Sequence, residues 1–216
     1  MKLLDELLDL IYPPRCAFCH RLLRHSGEEV CRDCLVNLPY TGDLAERIGL
    51  KHIKSCVSPF FYEKTVRDSL HRYKFGQRTG YAGIYAGFMV KSIDENKISC
   101  DIISWTPVSR QRLRSRGYDQ SELLAREISD RLGIPCMRLL VKQRHTRPQS
   151  LTKNADQRRE NVKGAYRCSD SETARGKHIL LVDDILTSGS TLSECARMLK
   201  EAGAAEVSAV TVARKR

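Results

Sequence analysis

The stretch ILLVDDILTSGST at residues 179–191 constrains the fold of this 216-residue chain more than any other segment. Ile179, Leu180, Leu181 and Val182 form a short continuous apolar run, the pattern of a strand buried on both faces. Asp183 and Asp184 stand at its carboxyl end, and a glycine-containing turn leads into a helical pattern over residues 191–202 that ends at Gly203. A strand that hands a glycine loop to a helix is a unit of parallel sheets covered by helices. The surrounding sequence has the same grammar. Strand patterns over residues 102–105, 137–141 and 207–212 alternate with a helix built on Leu123, Leu124, Ile128 and Leu132 and closed by Gly133. The expected class is α/β with a parallel, helix-covered sheet.

Upstream, residues 54–62 read as a strand, and Val66, Leu70, Tyr73 and Phe75 as a helix ending at Gly76. Residues 80–96 read as a second helix, whose Ala82, Gly83, Ala86 and Gly87 form a small-residue face for close packing. A polar, basic stretch over residues 142–163 reads as a loop that runs into a short helix over residues 155–161. At the start, Leu3, Leu4, Leu7, Leu8 and Ile11 recur at helical spacing, so an amphipathic helix is expected over residues 2–11, stopped by Pro13 and Pro14. Asp5, Glu6 and Asp9 interrupt it as a secretory segment would not allow. No apolar run approaches the roughly 18 residues that cross a bilayer. Hydrophobic residues make up 41% of the chain, and 13 Gly with 7 Pro are too few for a disordered or fibrous protein. The expectation is a cytoplasmic protein, with an N-terminal part over residues 1–53 and a main domain over residues 54–216.

Nine cysteines divide into two groups. Cys56, Cys100, Cys136, Cys168 and Cys195 stand singly, whereas Cys16, Cys19, Cys31 and Cys34 form C-x2-C-x11-C-x2-C. In a reducing compartment four thiolates at this spacing close a tetrahedral Zn²⁺ site, with disulfide pairing or free thiols as the alternatives. His20 and His25 read as spectators beside a complete cysteine set. A closed site of this kind is structural, since it leaves no open coordination position. Charge is equally uneven. Residues 1–56 carry 8 basic and 8 acidic side chains, so the net +11 lies downstream, and residues 107–168 hold 15 Lys or Arg against 6 Asp or Glu. Such a block is either a solvated face or a surface for phosphates, pyrophosphate or nucleic acid.

The loop after the apolar strand has a chemistry of its own. Backbone amides and a helix start converge there, Gly189 lets an oxyanion approach closely, and Thr187, Ser188, Ser190 and Thr191 add hydroxyl donors. Thr191-x-x-Glu194 also reads as a capping box. Carboxylates beside a phosphate cradle repel the phosphate unless they accept from sugar hydroxyls or act with a metal, so Asp183 and Asp184 point to a ribose phosphate.

The segment resembles, position for position, the PRPP-binding motif of type I phosphoribosyltransferases. Further matches narrow the resemblance to the ComF family of competence-associated proteins. They are the four-cysteine knuckle, Tyr73-Lys74-Phe75, the run RLRSRGYDQ at residues 112–120 with Leu123-Leu124-Ala125 behind it, and Pro148-Gln149-Ser150 ahead of RRENVKGAY at residues 158–166. Asp119, where the family commonly has Asn, and Trp105-Thr106 before Pro107 are departures.

The resemblance implies a type I phosphoribosyltransferase-like parallel sheet covered by helices, with a small N-terminal zinc knuckle. It implies that Thr187, Ser188, Gly189, Ser190 and Thr191 hold the 5′-phosphate of PRPP, that Asp183 and Asp184 serve the ribose hydroxyls as catalytic carboxylates, and that Mg²⁺ accompanies the pyrophosphate. Arg110, Arg112, Arg114 and Arg116, in a loop over residues 107–117, would take the pyrophosphate charge, Arg116 foremost. A mobile loop over residues 142–150, with Arg144, Arg147 and Gln149, would close over the site. Trp105, Tyr118 and Tyr166 are either core residues or platforms for a base. Two functions follow from the resemblance: a PRPP-binding protein that assists DNA uptake in natural transformation, with single-stranded DNA and other DNA-uptake proteins as partners, or an active transferase that displaces pyrophosphate towards an acceptor the residues do not name. A third reading leaves the loop idle.

Overall fold

A computed structural model of the chain describes residues 13–24, 27–42, 50–144 and 155–216. The elements in chain order are α1 (Arg32–Asn37), β1 (Cys56–Val57), β2 (Phe60–Phe61), α2 (Lys64–Phe75), α3 (Tyr81–Glu95), β3 (Ile102–Trp105), α4 (Arg110–Arg116), α5 (Gln120–Leu132), β4 (Leu140–Lys142), α6 (Ala155–Val162), β5 (Tyr166–Cys168), α7 (Ser171–Ala174), β6 (His178–Leu186), α8 (Ser190–Glu201) and β7 (Glu206–Arg214). The helix expected over residues 2–11 lies outside the described residues, as do His25, Arg147 and Gln149.

The main sheet has five parallel strands in the order β1-β7-β6-β3, with β2 also pairing β7. This puts β6, which carries both carboxylates, between two neighbours. Alternation along the strands feeds a core on each face. Leu180, Val182, Val210 and Val212 join Leu70, Tyr73, Tyr85, Met89, Leu124 and Ile128 of α2, α3 and α5 on one side. Ile179, Leu181, Val207 and Ala209 join Leu192, Cys195 and Leu199 of α8, together with Leu140 and Tyr166, on the other. Each such aliphatic side chain contributes about 1.5–3 kcal/mol by leaving water. The small face of α3 meets α5, where a Cβ on Gly83 would come within 3.3 Å of Glu127 Oε2. Among the described residues no helix is long and apolar enough to cross a membrane.

Several expectations need correction. The strand expected over residues 54–62 is two two-residue strands separated by Ser58 and Pro59, because proline has no N–H to give the ladder. The strand expected over residues 137–141 lies at Leu140–Lys142 and pairs antiparallel with β5 in a separate two-stranded sheet; only a bridge between Ile103 and Cys136 touches the main sheet. The arginine loop is largely helix α4, which Ser109 caps by accepting from Arg112 N and which Gly117 ends at φ +82°. Finally, α8 starts after Gly189 (φ +68°) with no side-chain cap, so Thr191 and Glu194 form no capping box. Glu194 instead accepts from Gly164 N at 2.7 Å and pairs with Arg197. A reciprocal pattern sits at Asp119, whose carboxylate accepts from Ser121 N and Glu122 N to cap α5.

Candidate functional site

The carboxyl ends of β3 and β6 open into a cavity of about 610 Å³. In open parallel sheets this is where ligands bind, because loops diverge there and helix N-termini point inward. Asp183, Asp184, Thr187, Gly189, Ser190 and Thr191 line it from β6, its loop and the start of α8. Ser188 is not among the lining residues; its hydroxyl lies 2.9 Å from that of Ser190. Gly189 holds a left-handed backbone (φ +68°) that favours glycine, and a Cβ there would fall 2.1 Å from Leu50 Cδ2, so that flexible side-chain end would have to move aside.

The arginines separate by helical geometry. Alternate positions share a face in a strand but not in a helix. Arg112 and Arg116, four apart, line the cavity, whereas Arg110 and Arg114 are exposed and outside its lining. Arg116 Nη1 donates to Gln120 Oε1 at 2.8 Å, and its guanidinium lies 4.7 Å from the centre of the Phe75 ring. Arg144 is exposed and donates to the carbonyls of Asn161 and Lys163. Lys74, Lys142, Arg158 and Lys215 also line the cavity, none of them singled out as a ligand from the sequence. For Lys74 a signal existed: with Val66, Leu70 and Tyr73 in the core, positions 71, 74 and 75 fall together on the next face of α2.

The acid pair is held in an organised network. Asp183 Oδ1 accepts from Ser121 Oγ at 3.0 Å and from Asp184 N at 2.8 Å, and Asp184 Oδ2 lies 2.7 Å from Lys74 Nζ. Burial first, and the charge of Asp184 second, push the Asp183 carboxyl up to about 7, against the Thr106 hydroxyl bond, the Asp184 amide and Lys74. Across the cavity Lys142 donates to Tyr166 Oη at 2.9 Å, and burial and Arg112 bring its ammonium down to about 8. Trp105 is buried and outside the cavity lining, the Tyr118 hydroxyl donates to the Tyr73 carbonyl, and Tyr166 is buried yet lines the cavity.

The raised Asp183 carboxyl has a stability consequence. The folded chain holds its proton at pH values where the unfolded chain has lost it, so this group costs stability increasingly as pH rises from the ordinary carboxylate range to about 7. Asp183→Asn is therefore expected to have the wild-type melting temperature near pH 4 and a higher one at pH 8, by roughly 2–4 °C for each kcal/mol relieved. Melting curves across that range check this; a pH-independent difference would contradict it.

A second constellation lies in the N-terminal part. The sulfurs of Cys16, Cys19, Cys31 and Cys34 all lie within 4.8 Å of one another, with Cys19 Sγ 3.6 Å from Cys31 Sγ. A tetrahedral Zn²⁺ with Zn–S bonds of about 2.3 Å needs sulfurs about 3.8 Å apart, so the thiolates fit that metal. Cys31 N donates to Cys16 Sγ at 3.4 Å, and all four cysteines are free of disulfides. His20 is outside the cluster. The knuckle packs on β2 and α3 through Phe18, whose ring meets Phe60, Tyr85 and Phe88 edge-on.

Comparison with known proteins gives the same two parts. Residues 119–216 match the phosphoribosyl transferase domain family, and residues 7–60 match the double zinc ribbon domain family. Competence protein F of Haemophilus influenzae is 26% identical over 93% of this chain and 96% of its own length. Competence protein ComFC of Streptococcus pneumoniae is 28% identical over 92% of this chain and 87% of its own. DNA utilization protein YhgH of Escherichia coli O157:H7 is 30% identical over 64% of this chain and 62% of its own. Joined to a parallel α/β sheet with its phosphate loop and to four clustered cysteines, these matches support a ComFC-type, phosphoribosyltransferase-like protein with an N-terminal zinc ribbon.

Proposed function

We propose that the chain binds PRPP with Mg²⁺ in the cavity at the carboxyl end of β6 and serves DNA uptake in natural transformation, in the cytoplasm. The observation that carries this is the convergence on one cavity of the Gly189 loop, the Asp183–Asp184 pair, and Lys74, Arg112, Arg116, Lys142, Arg158 and Lys215. The loop amides and hydroxyls of residues 187–191 would take the 5′-phosphate, and Asp183 and Asp184 the ribose hydroxyls. Mg²⁺ would bind with the pyrophosphate, whose remaining charge falls to Arg112 and Arg116. Residues 1–53 would serve as the zinc-stabilised part and residues 54–216 as the ligand-binding domain. Competence and DNA utilization in the names of the similar proteins support the cellular role.

The split of the arginines favours a second activity on the same helix. Arg110 and Arg114 project away from the cavity and are available to the backbone of single-stranded DNA. Arg112→Gln with Arg116→Gln is expected to weaken Mg–PRPP binding by roughly a hundredfold or more, since each charge-assisted contact is worth about 1.5–3 kcal/mol. Arg110→Gln with Arg114→Gln is expected to leave PRPP binding intact and to lower the salt slope of oligo(dT) binding by about 1.4. Calorimetry and fluorescence anisotropy on the two variants check both. Equal effects of the two pairs on both ligands would contradict the division. Transfer of the phosphoribosyl group with release of pyrophosphate remains the alternative activity of the same cavity.

A further inference from the structure

Helix α2 lies between the cysteine knuckle and the cavity and presents a different face to each. Ser69 and Arg72, three apart, share the face towards the knuckle. Ser69 Oγ donates to the Ala17 carbonyl at 2.6 Å, and Arg72 Nη2 donates to the carbonyls of Ala17 and Phe18 at 3.1 and 2.5 Å. Those two carbonyls belong to the turn between Cys16 and Cys19, so thiolates holding a metal fix their place. His71, Lys74 and Phe75 share the opposite face and line the cavity, with Lys74 paired to Asp184 at 2.7 Å. Tyr73, between them, donates to the Gln120 carbonyl at 2.8 Å. No Gly or Pro interrupts the helix, which leaves it without the usual site for a kink, so a shift at Arg72 carries to Lys74 two residues on. Val66, Leu70 and Tyr73 bury the helix in the core, and Ser69 and Arg72 add its polar ties to the knuckle.

We propose that Ser69 and Arg72 are positioning residues through which the metal-held knuckle sets Lys74 against Asp184, so that metal loading of the ribbon tunes the affinity of the cavity for its anion. The choice of PRPP as that anion rests on the reading above; the mechanical coupling does not. Displacing Lys74 leaves two carboxylates facing an incoming polyphosphate without their nearest cation, which weakens binding. Carbonyl bonds to a guanidinium are charge-assisted and directional, so the link transmits position and not merely charge.

The test uses the zinc-loaded full chain with Arg72→Met, which keeps the side-chain stem and removes the donors, and Ser69→Ala as the milder variant. The acylation rate of Lys74 by an amine reagent, read by mass spectrometry with Lys142 as internal reference, is expected to rise roughly fivefold or more in Arg72→Met and in chelated wild type. The Kd for Mg–PRPP is expected to weaken by a similar factor in Arg72→Met, with no further weakening when Lys74→Met is already present. Unchanged Lys74 labelling after metal removal, or additive effects of the two substitutions, overturns the proposal. Faster labelling in a protein that binds no PRPP sustains the coupling and removes the PRPP reading instead.

Discussion

Replacing both Asp183 and Asp184 by alanine is expected to abolish measurable binding of Mg–PRPP while leaving a folded protein. Hydrogen bonds from hydroxyls to charged acceptors contribute about 1.5–3 kcal/mol each, so the pair accounts for roughly 3–6 kcal/mol, a hundredfold to ten-thousandfold in Kd. The fold should survive because Asp183 is a costly group: burial and its neighbour push it up to about 7, and its removal relieves that penalty. Lys74 would lose its partner at 2.7 Å yet keep access to water through the cavity. Affinity for single-stranded DNA should be unchanged or higher, since two negative charges leave a cationic surface. Parallel titrations with PRPP and oligo(dT) separate the cases. Equal loss of both ligands would mean that the acid pair supports the fold, and retained PRPP binding would remove these carboxylates from the site.

Loss of the knuckle's metal is expected to have the other large effect. Cys16→Ser with Cys19→Ser should lower the metal content from about one Zn²⁺ per chain to none. Cys16, Ala17 and Phe18 are buried against the main domain, and Phe18 anchors an aromatic cluster with Phe60, Tyr85 and Phe88. Releasing that turn opens the cluster, at a cost of about 4 kcal/mol or more, in the upper tail of substitution effects. The melting temperature should then fall by roughly 8–16 °C. Limited proteolysis should cut first within residues 13–42 while the parallel sheet persists. A zinc-free variant with an unchanged melting temperature would show that the knuckle is held by packing alone.

Legibility of the fold in the sequence followed the strength of local patterns. The buried run at residues 179–182, the Gly189 turn and the helix after it were readable because apolar continuity, a positive-φ residue and amphipathic spacing coincide there. The four cysteines were readable because metal ligation demands fixed spacing. The arginines at 110, 112, 114 and 116 were harder, because their alternation suggests an extended loop and only the capping interaction of Ser109 reveals two helical turns that send Arg112 and Arg116 one way and Arg110 and Arg114 another. Lys142 and Lys215 reach the cavity from β4 and from beyond β7, and such convergence is a tertiary fact with no local trace. The edge position of β4 was hidden for the same reason: its apolar residues suit either sheet, and pairing with β5 decides. Glu194 illustrates the reverse error, a local motif overridden by a tertiary bond to Gly164.

The most direct test of the PRPP site is calorimetric titration of PRPP into the zinc-loaded wild type, with Mg²⁺ and with EDTA in its place. Saturable binding at one PRPP per chain that requires Mg²⁺ is the expected result. Absence of binding by a folded, zinc-loaded protein, or binding that is indifferent to Mg²⁺, would contradict it and leave the outer arginines of α4 as the leading functional surface.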